Sequence, residues 1–259
     1  MPRFSSGSEL LDELRSVASK LRREGRLEFT GFSNSSLEHY ENLYALGMDL
    51  DAYRETKETY ASEVRPQIIA LMSDLCDIIS KFDRGFNDNP SDMVGLPCPH
   101  GNPRSYAWAA MTRAGRTRRN DLQFFVALKR KFLRFGIYAS RKEGKERFTS
   151  VWQSIRDDEA RFLELLEEAN KSGYSLDTHR EDFLDDGSMV PLIFDASEPH
   201  VSISEHGHFH LVRGTPLEDL ADKEPEEILD SALHAFAHTR GIYEFCLSKR
   251  VVSLRDRVL

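Results

Sequence analysis

Apolar residues recur three and four positions apart through the N-terminal part of the chain, the period of a helix with one buried face. Leu10, Leu11, Leu14, Val17 and Leu21 mark the first such helix, Ser8–Glu24, with Gly25 placed for a left-handed cap. A short apolar segment, Leu27–Phe32, leads to a second helix that Ser35 and Glu38 open as a capping box and Gly47 closes. Asp49 caps a third. Pro66 interrupts that long helix, because proline lacks the backbone donor and clashes with the preceding turn; a kink or a division in two is expected. Beyond it Ile68, Met72, Leu75, Ile79 and Phe82 form a core-facing stripe, with Cys76 packed beside them.

Periodicity stops at Asp83. Before Arg104, four prolines (Pro90, Pro97, Pro99, Pro103) join Gly85, Gly95 and Gly101, a composition that suits a binding loop or lid. The pattern then turns to strands: Tyr106–Arg113, a turn at Ala114–Asn120, Leu122–Lys129, a hairpin turn at Arg130–Lys131, and Phe132–Tyr138. Two helices follow, Glu146–Ile155 and one that Asp158 caps and Gly173 ends. Pro191–Asp195, Val201–Ser204 and Phe209–Arg213 read as short strands, the last two joined by a tight turn at His206–Gly207. Pro225, followed by two acids, opens the last helix, with Gly241 a candidate break before Ile242–Leu247 and a mildly basic tail at Val251–Leu259. The architecture expected is α+β: an antiparallel sheet of about five or six strands packed against N-terminal and C-terminal helices. It forms one domain over residues 1–259, with 1–26 an N-terminal helical extension.

Charge changes the picture most in the strand region. Arg104–Arg147 holds thirteen lysines and arginines against three acids, +10 in a chain whose total is −8, so the remainder carries −18. Such asymmetry implies that the middle of the protein meets an anion or lies against its own acidic helices. With 40% hydrophobic and 30% charged residues, the composition is that of a soluble globular protein. No apolar run approaches the roughly 18 residues of a membrane span, and the charged first helix is no signal peptide, so no membrane partner is expected. Three widely spaced cysteines, Cys76, Cys98 and Cys246, make no disulfide framework and suit a reducing, cytoplasmic setting.

Basic residues interleaved with Trp108, Phe124, Phe125, Phe132 and Tyr138 combine phosphate contacts with stacking surfaces, the pairing that single-strand and flipped-base binders use. The residues assigned to phosphate are Arg113, Arg116, Arg118, Arg119, Lys129, Lys131 and Arg134, with Trp108 as the stacking group. The competing arrangement puts the aromatics inward and pairs the cations with acids of the outer helices. His206, His208 and His210 form H-x-H-x-H, and His208 and His210 with His200 could hold a metal for hydrolysis, because alternate strand residues share a face. Cys98-Pro99-His100 lacks the partners of a zinc site. His234 and His238 share a helix side but lack a zinc-protease glutamate, and read as surface or interhelix histidines. The acid pairs Asp157–Asp158, Asp185–Asp186 and Glu226–Glu227 read as solvated faces and caps, and no nucleotide-loop, dinucleotide or serine-hydrolase motif occurs.

Phe29-Thr30-Gly31-Phe32, Leu46, and the helix carrying Tyr53, Lys57, Tyr60, Arg65-Pro66 and Leu71 resemble the opening of a widespread bacterial family of conserved hypothetical proteins, a domain of unknown function. Its members begin F-x-G-F and continue with a W-F-x-x-x-(R/K)-x-x-Y helix. The similarity extends to Phe135-Gly136-Ile137-Tyr138, Trp152-x-x-Ile155-Arg156, Phe209–Leu211, Glu226–Leu229 and Phe245–Leu247. The family's basic R-D-x-R-F-S-x-D-K-x-P-Y-K block has its nearest counterpart at Arg116–Asp121. The resemblance implies an α+β domain and no particular activity. The function expected is therefore a non-catalytic nucleic-acid-binding module, in a defence or nucleic-acid processing system, that uses the basic sheet and the Pro/Gly-rich loop and needs no cofactor. A metal-assisted hydrolase and a scaffold for protein partners are the alternatives.

Overall fold

A computed structural model of the protein describes residues 6–116, 121–140, 145–177, 197 and 208–247. Helix α1 spans Gly7–Arg23, α2 Asn34–Ala45 and α3 Leu50–Thr59. Gly25, Gly47 and Gly173 take positive φ just past helix ends, where a side chain would be strained. The cap of α2 is Ser33, whose hydroxyl accepts from the Ser36 amide, rather than the expected Ser35. At Pro66 the missing donor is absorbed by a π-turn, Tyr60–Val64, which joins α3 to α4 at Arg65–Ile79. The Leu27–Phe32 segment lies extended against α4. Asp74 accepts from the amides of Glu28 and Phe29 at 2.8 and 3.0 Å, and Gln67 accepts from Thr30.

Five strands form one antiparallel sheet in the order β1-β2-β3-β5-β4: β1 Tyr106–Met111, β2 Gln123–Lys129, β3 Phe132–Ser140, β4 Ser175–Leu176 and β5 His208–Pro216. β4 is a strand that the sequence pattern does not announce. The expected strands at Pro191–Asp195 and Val201–Ser204, the turn at His206–Gly207 and the tail at Val251–Leu259 lie outside the described residues. One face of the sheet, with Phe124, Val126, Phe135, Ile137 and Leu211, joins the main core. Against it pack α4 and α8 (Pro225–Leu247), while α6 (Lys145–Asp157) and α7 (Glu159–Lys171) meet α8. Phe124 contacts Phe236 and Tyr243, with ring centroids 4.7 and 4.4 Å apart.

Two expectations change on packing. Helix α8 runs unbroken through Gly241, because the glycine lets the Leu165 side chain of α7 approach: a Cβ there would be 3.1 Å from its methyl. Helix α1, read as an extension, buries Leu10, Leu11, Leu14 and Leu21 in the common core and lies along α8.

The loop expected as a lid runs along the free edge of β1. Gly95 donates to the Trp108 carbonyl at 2.7 Å and Asn87 to that of Thr112 at 2.8 Å, with bridges at Val94–Ala109 and Phe86–Arg113. A four-residue helical turn, α5 at Pro90–Met93, separates the two contacts. The edge backbone is thus satisfied in two places without a full sixth strand.

Gly136 sits opposite both Phe125 and Val212, and a Cβ there would overlap the Leu211 carbonyl oxygen. Gly136→Ala is expected to lower stability by about 1–3 kcal/mol or more in chemical denaturation, because β5 backbone must move to admit it; an unchanged midpoint would contradict the packing. His39 is buried between the rings of Tyr40 and Tyr60, and burial lowers its pKa to about 4 from 6.5. Unfolding lets it protonate, so its stabilisation is complete above pH 6.5 and is lost as pH falls towards about 4. Stability measured by denaturation across that range should decline, and His39→Phe should make that decline smaller by on the order of 3 kcal/mol, the share that His39 contributes.

Candidate nucleic-acid interface

The second face of the sheet carries different chemistry. Alternation along the strands places Tyr106 and Trp108 of β1, Gln123, Phe125 and Lys129 of β2, Arg134 and Tyr138 of β3, and His210 of β5 on it. Ala110, Ala127, Gly136 and Val212 supply the floor between them. Trp108 stacks on Phe125 with centroids 4.2 Å apart and planes 10° apart, and meets Tyr138 and Tyr106 edge-on. Its indole N–H donates to Gln123 at 3.4 Å. Small residues beneath large rings let the rings lie close to the sheet, and each aromatic pair adds on the order of 1 kcal/mol beyond its buried area.

Exposure varies strongly across this face. Lys129 and His210 are 1% exposed and Arg134 5%, whereas Tyr106, Trp108 and Arg104 are only half-buried. The accessible part is therefore the β1 side, together with the half-buried Tyr138 of β3. Lys129 lies with its ammonium 5.0 Å from the Tyr106 ring centre. Arg134 faces Asp177 at 3.5 Å, and burial lowers its pKa to about 10 against the opposing pull of that carboxylate.

The predicted phosphate ligands thus divide. Arg113 pairs with the buried Asp83 at 3.0 Å and lies 4.4 Å over the Phe86 ring. Burial acts against its charge, but Tyr243 and Asp83 outweigh that and raise its pKa. Arg130 and Lys131 at the β2–β3 turn share Glu41 of α2, at 2.6 and 3.6 Å, and the Arg130 hydrogen bond lowers the Glu41 pKa. Arg113, Lys131 and Arg134 are accordingly matched by the protein's own carboxylates, and Lys129 is enclosed; none of the four forms part of an open cationic ladder. The reason is legible in the register: the strand alternation that segregates the aromatics also carries Lys129 and Arg134 onto a buried face. Arg116 is exposed and makes no ion pair among the described residues, outside which Arg118 and Arg119 lie.

Arg104 and Tyr106 belong to the accessible surface although they are missing from the sequence-derived set. The guanidinium of Arg104 donates to the Tyr106 hydroxyl at 3.4 Å and meets no carboxylate among the described residues. The Tyr106-x-Trp108 spacing carried the signal, since residues two apart on a strand share a face. Of the proposed metal ligands, His210 lies on the second face against Phe125 and Tyr138, His208 pairs in register with Ser140, and His200 lies outside the described residues. No group of three metal-type ligands occurs among the described residues. No helix among them is long and apolar enough to cross a membrane.

Asp177→Ala leaves the enclosed Arg134 without its carboxylate and is expected to cost about 3 kcal/mol in equilibrium unfolding. A loss below about 1 kcal/mol would show the pair to be dispensable.

No family model matches the chain, and no curated protein matches it.

Proposed function

We propose that the chain is a non-catalytic nucleic-acid-binding module that receives a single strand along β1. In this reading a base stacks at the half-buried Tyr106 and Trp108, and Arg104 and Arg116 meet phosphates on either side of it. The observation that carries the reading is this pair of arginines without carboxylate partners among the described residues, standing beyond the two ends of a strand that presents Tyr106 edge-on to Trp108, itself stacked on Phe125. The six residues of β1, at about 3.3 Å each, offer a track of roughly 20 Å along which an extended strand of nucleic acid can lie. Aromatic stacking accepts any base, whereas the phosphate contacts fix the strand's path, so weak sequence preference and preference for unpaired nucleic acid follow. The loop that borders β1 would form the second wall of the same track.

Fluorescence anisotropy with a single-stranded oligonucleotide and its duplex tests this directly. The single strand should bind more tightly, with log K falling against log salt by roughly 0.7 per phosphate neutralised, and Arg116→Ala should reduce that slope by about one such step. Trp108→Ala should cost about 1–3 kcal/mol of affinity, and Arg104→Ala, which removes the other phosphate contact, should lower the salt slope as Arg116→Ala does. Absent binding, or binding indifferent to salt, would discard the reading.

A further inference from the structure

A second polar cluster lies on the opposite side of the molecule's core sheet, where α8 meets α1 and the end of α7. His234 and His238, one turn apart on α8, lie with ring centroids 4.2 Å apart and planes tilted by 33°. The Tyr174 hydroxyl shares a 2.9 Å hydrogen bond with Nδ1 of His234, and the Ser172 hydroxyl shares one of 2.9 Å with Nδ1 of His238. Both Nδ1 atoms are thereby engaged, which leaves the two Nε2 atoms as the remaining imidazole valences. The first turn of α1 presses on the same place: a Cβ at Gly7 would be 2.9 Å from Nδ1 of His238, so the positive end of that helix adjoins the ring.

The surroundings are cationic. Burial lowers the pKa of His234 to about 4 and that of His238 below its ordinary value, and the guanidinium groups of Arg15 and Arg213 add to both shifts. Among the described residues Asp230 is the carboxylate that counters them, at His234 only; it already holds Arg15 through two bonds of 2.6 and 2.7 Å, with Asp12 3.9 Å from the same guanidinium. Arg213 is exposed, lies 3.5 Å from a Cβ built at Gly173, and pairs with no carboxylate among the described residues. Burial raises the Tyr174 phenol, with Arg213 opposing, so the hydroxyl keeps its proton as a donor.

From these groups we propose a binding site for a small tetrahedral oxyanion of the phosphate-monoester class, held by Arg213, the two imidazoles and the start of α1. Two neutral imidazoles between two guanidiniums and a helix N-terminus form a field that an anion relieves. Several donors on separate elements suit a tetrahedral anion better than a planar carboxylate, which one arginine can satisfy alone. The site is distinct from the β1 track, so each can fail without the other.

Inorganic phosphate titrated into the full chain, with the imidazole resonances followed by NMR, tests it. Saturable shifts at both His234 and His238 are expected. Arg213→Ala, at an exposed position, should weaken the affinity about fivefold, and Asp230→Asn, which removes the competing carboxylate, should strengthen it about fivefold. Resonances that stay unmoved to tens of millimolar phosphate would overturn the proposal, as would equal affinity in the wild-type chain and Arg213→Ala.

Discussion

β3 and β5 pair over nine positions, from Phe132 opposite Pro216 to Ser140 opposite His208, and that ladder sets the rest of the molecule. Because side chains alternate strictly along paired strands, one register assigns every residue of both strands to a face. Phe135, Ile137 and Leu211 are sent to the helices, and Arg134, Tyr138 and His210 to the other side. At Gly136 the two backbones approach so closely that no side chain fits. A slip of one residue would put the aromatic and charged set into the apolar core, so the register is enforced by burial as well as by hydrogen bonds.

That constraint explains why the surplus positive charge does not form one surface. Among the described residues the cations of the middle segment fall into separate environments: Arg113 against Asp83, Arg130 and Lys131 against Glu41, Arg134 against Asp177, and Arg104 and Arg116 without a carboxylate. Acidic helices account for part of the asymmetry, as Glu41 of α2 shows. What is left for a partner is narrower than the charge count suggests, and it borders β1, where aromatic rings and unpaired guanidiniums coincide.

The helices were legible because their signals are local. Asp49 and Asp158 cap where their spacing to the next apolar stripe requires, and Gly25 and Gly173 end helices by taking positive φ. The β2–β3 hairpin was equally plain. Less was legible where tertiary contact decides: Gly241 reads as a helix breaker, yet it is a close-packing position against Leu165. β4 is two residues long and exists through its pairing with Val212 and Leu211, which no local pattern encodes. For the site, residue types were readable and directions were not. Lys129 and Arg134 look like phosphate ligands until the register carries them inward, and the His234–His238 pair gains its Tyr174 and Ser172 partners only when α7 folds back onto α8.

The central claim, that the aromatic side of β1 is a ligand surface and not a second core alone, is tested most directly by the emission of Trp108. In a Trp152→Phe background the indole at position 108 is the sole tryptophan. Its stacking on Phe125 and position beside Tyr106 predict quenching that saturates as single-stranded oligonucleotide is added, over the same concentration range as binding itself. Emission that stays constant while the oligonucleotide binds elsewhere would contradict the claim.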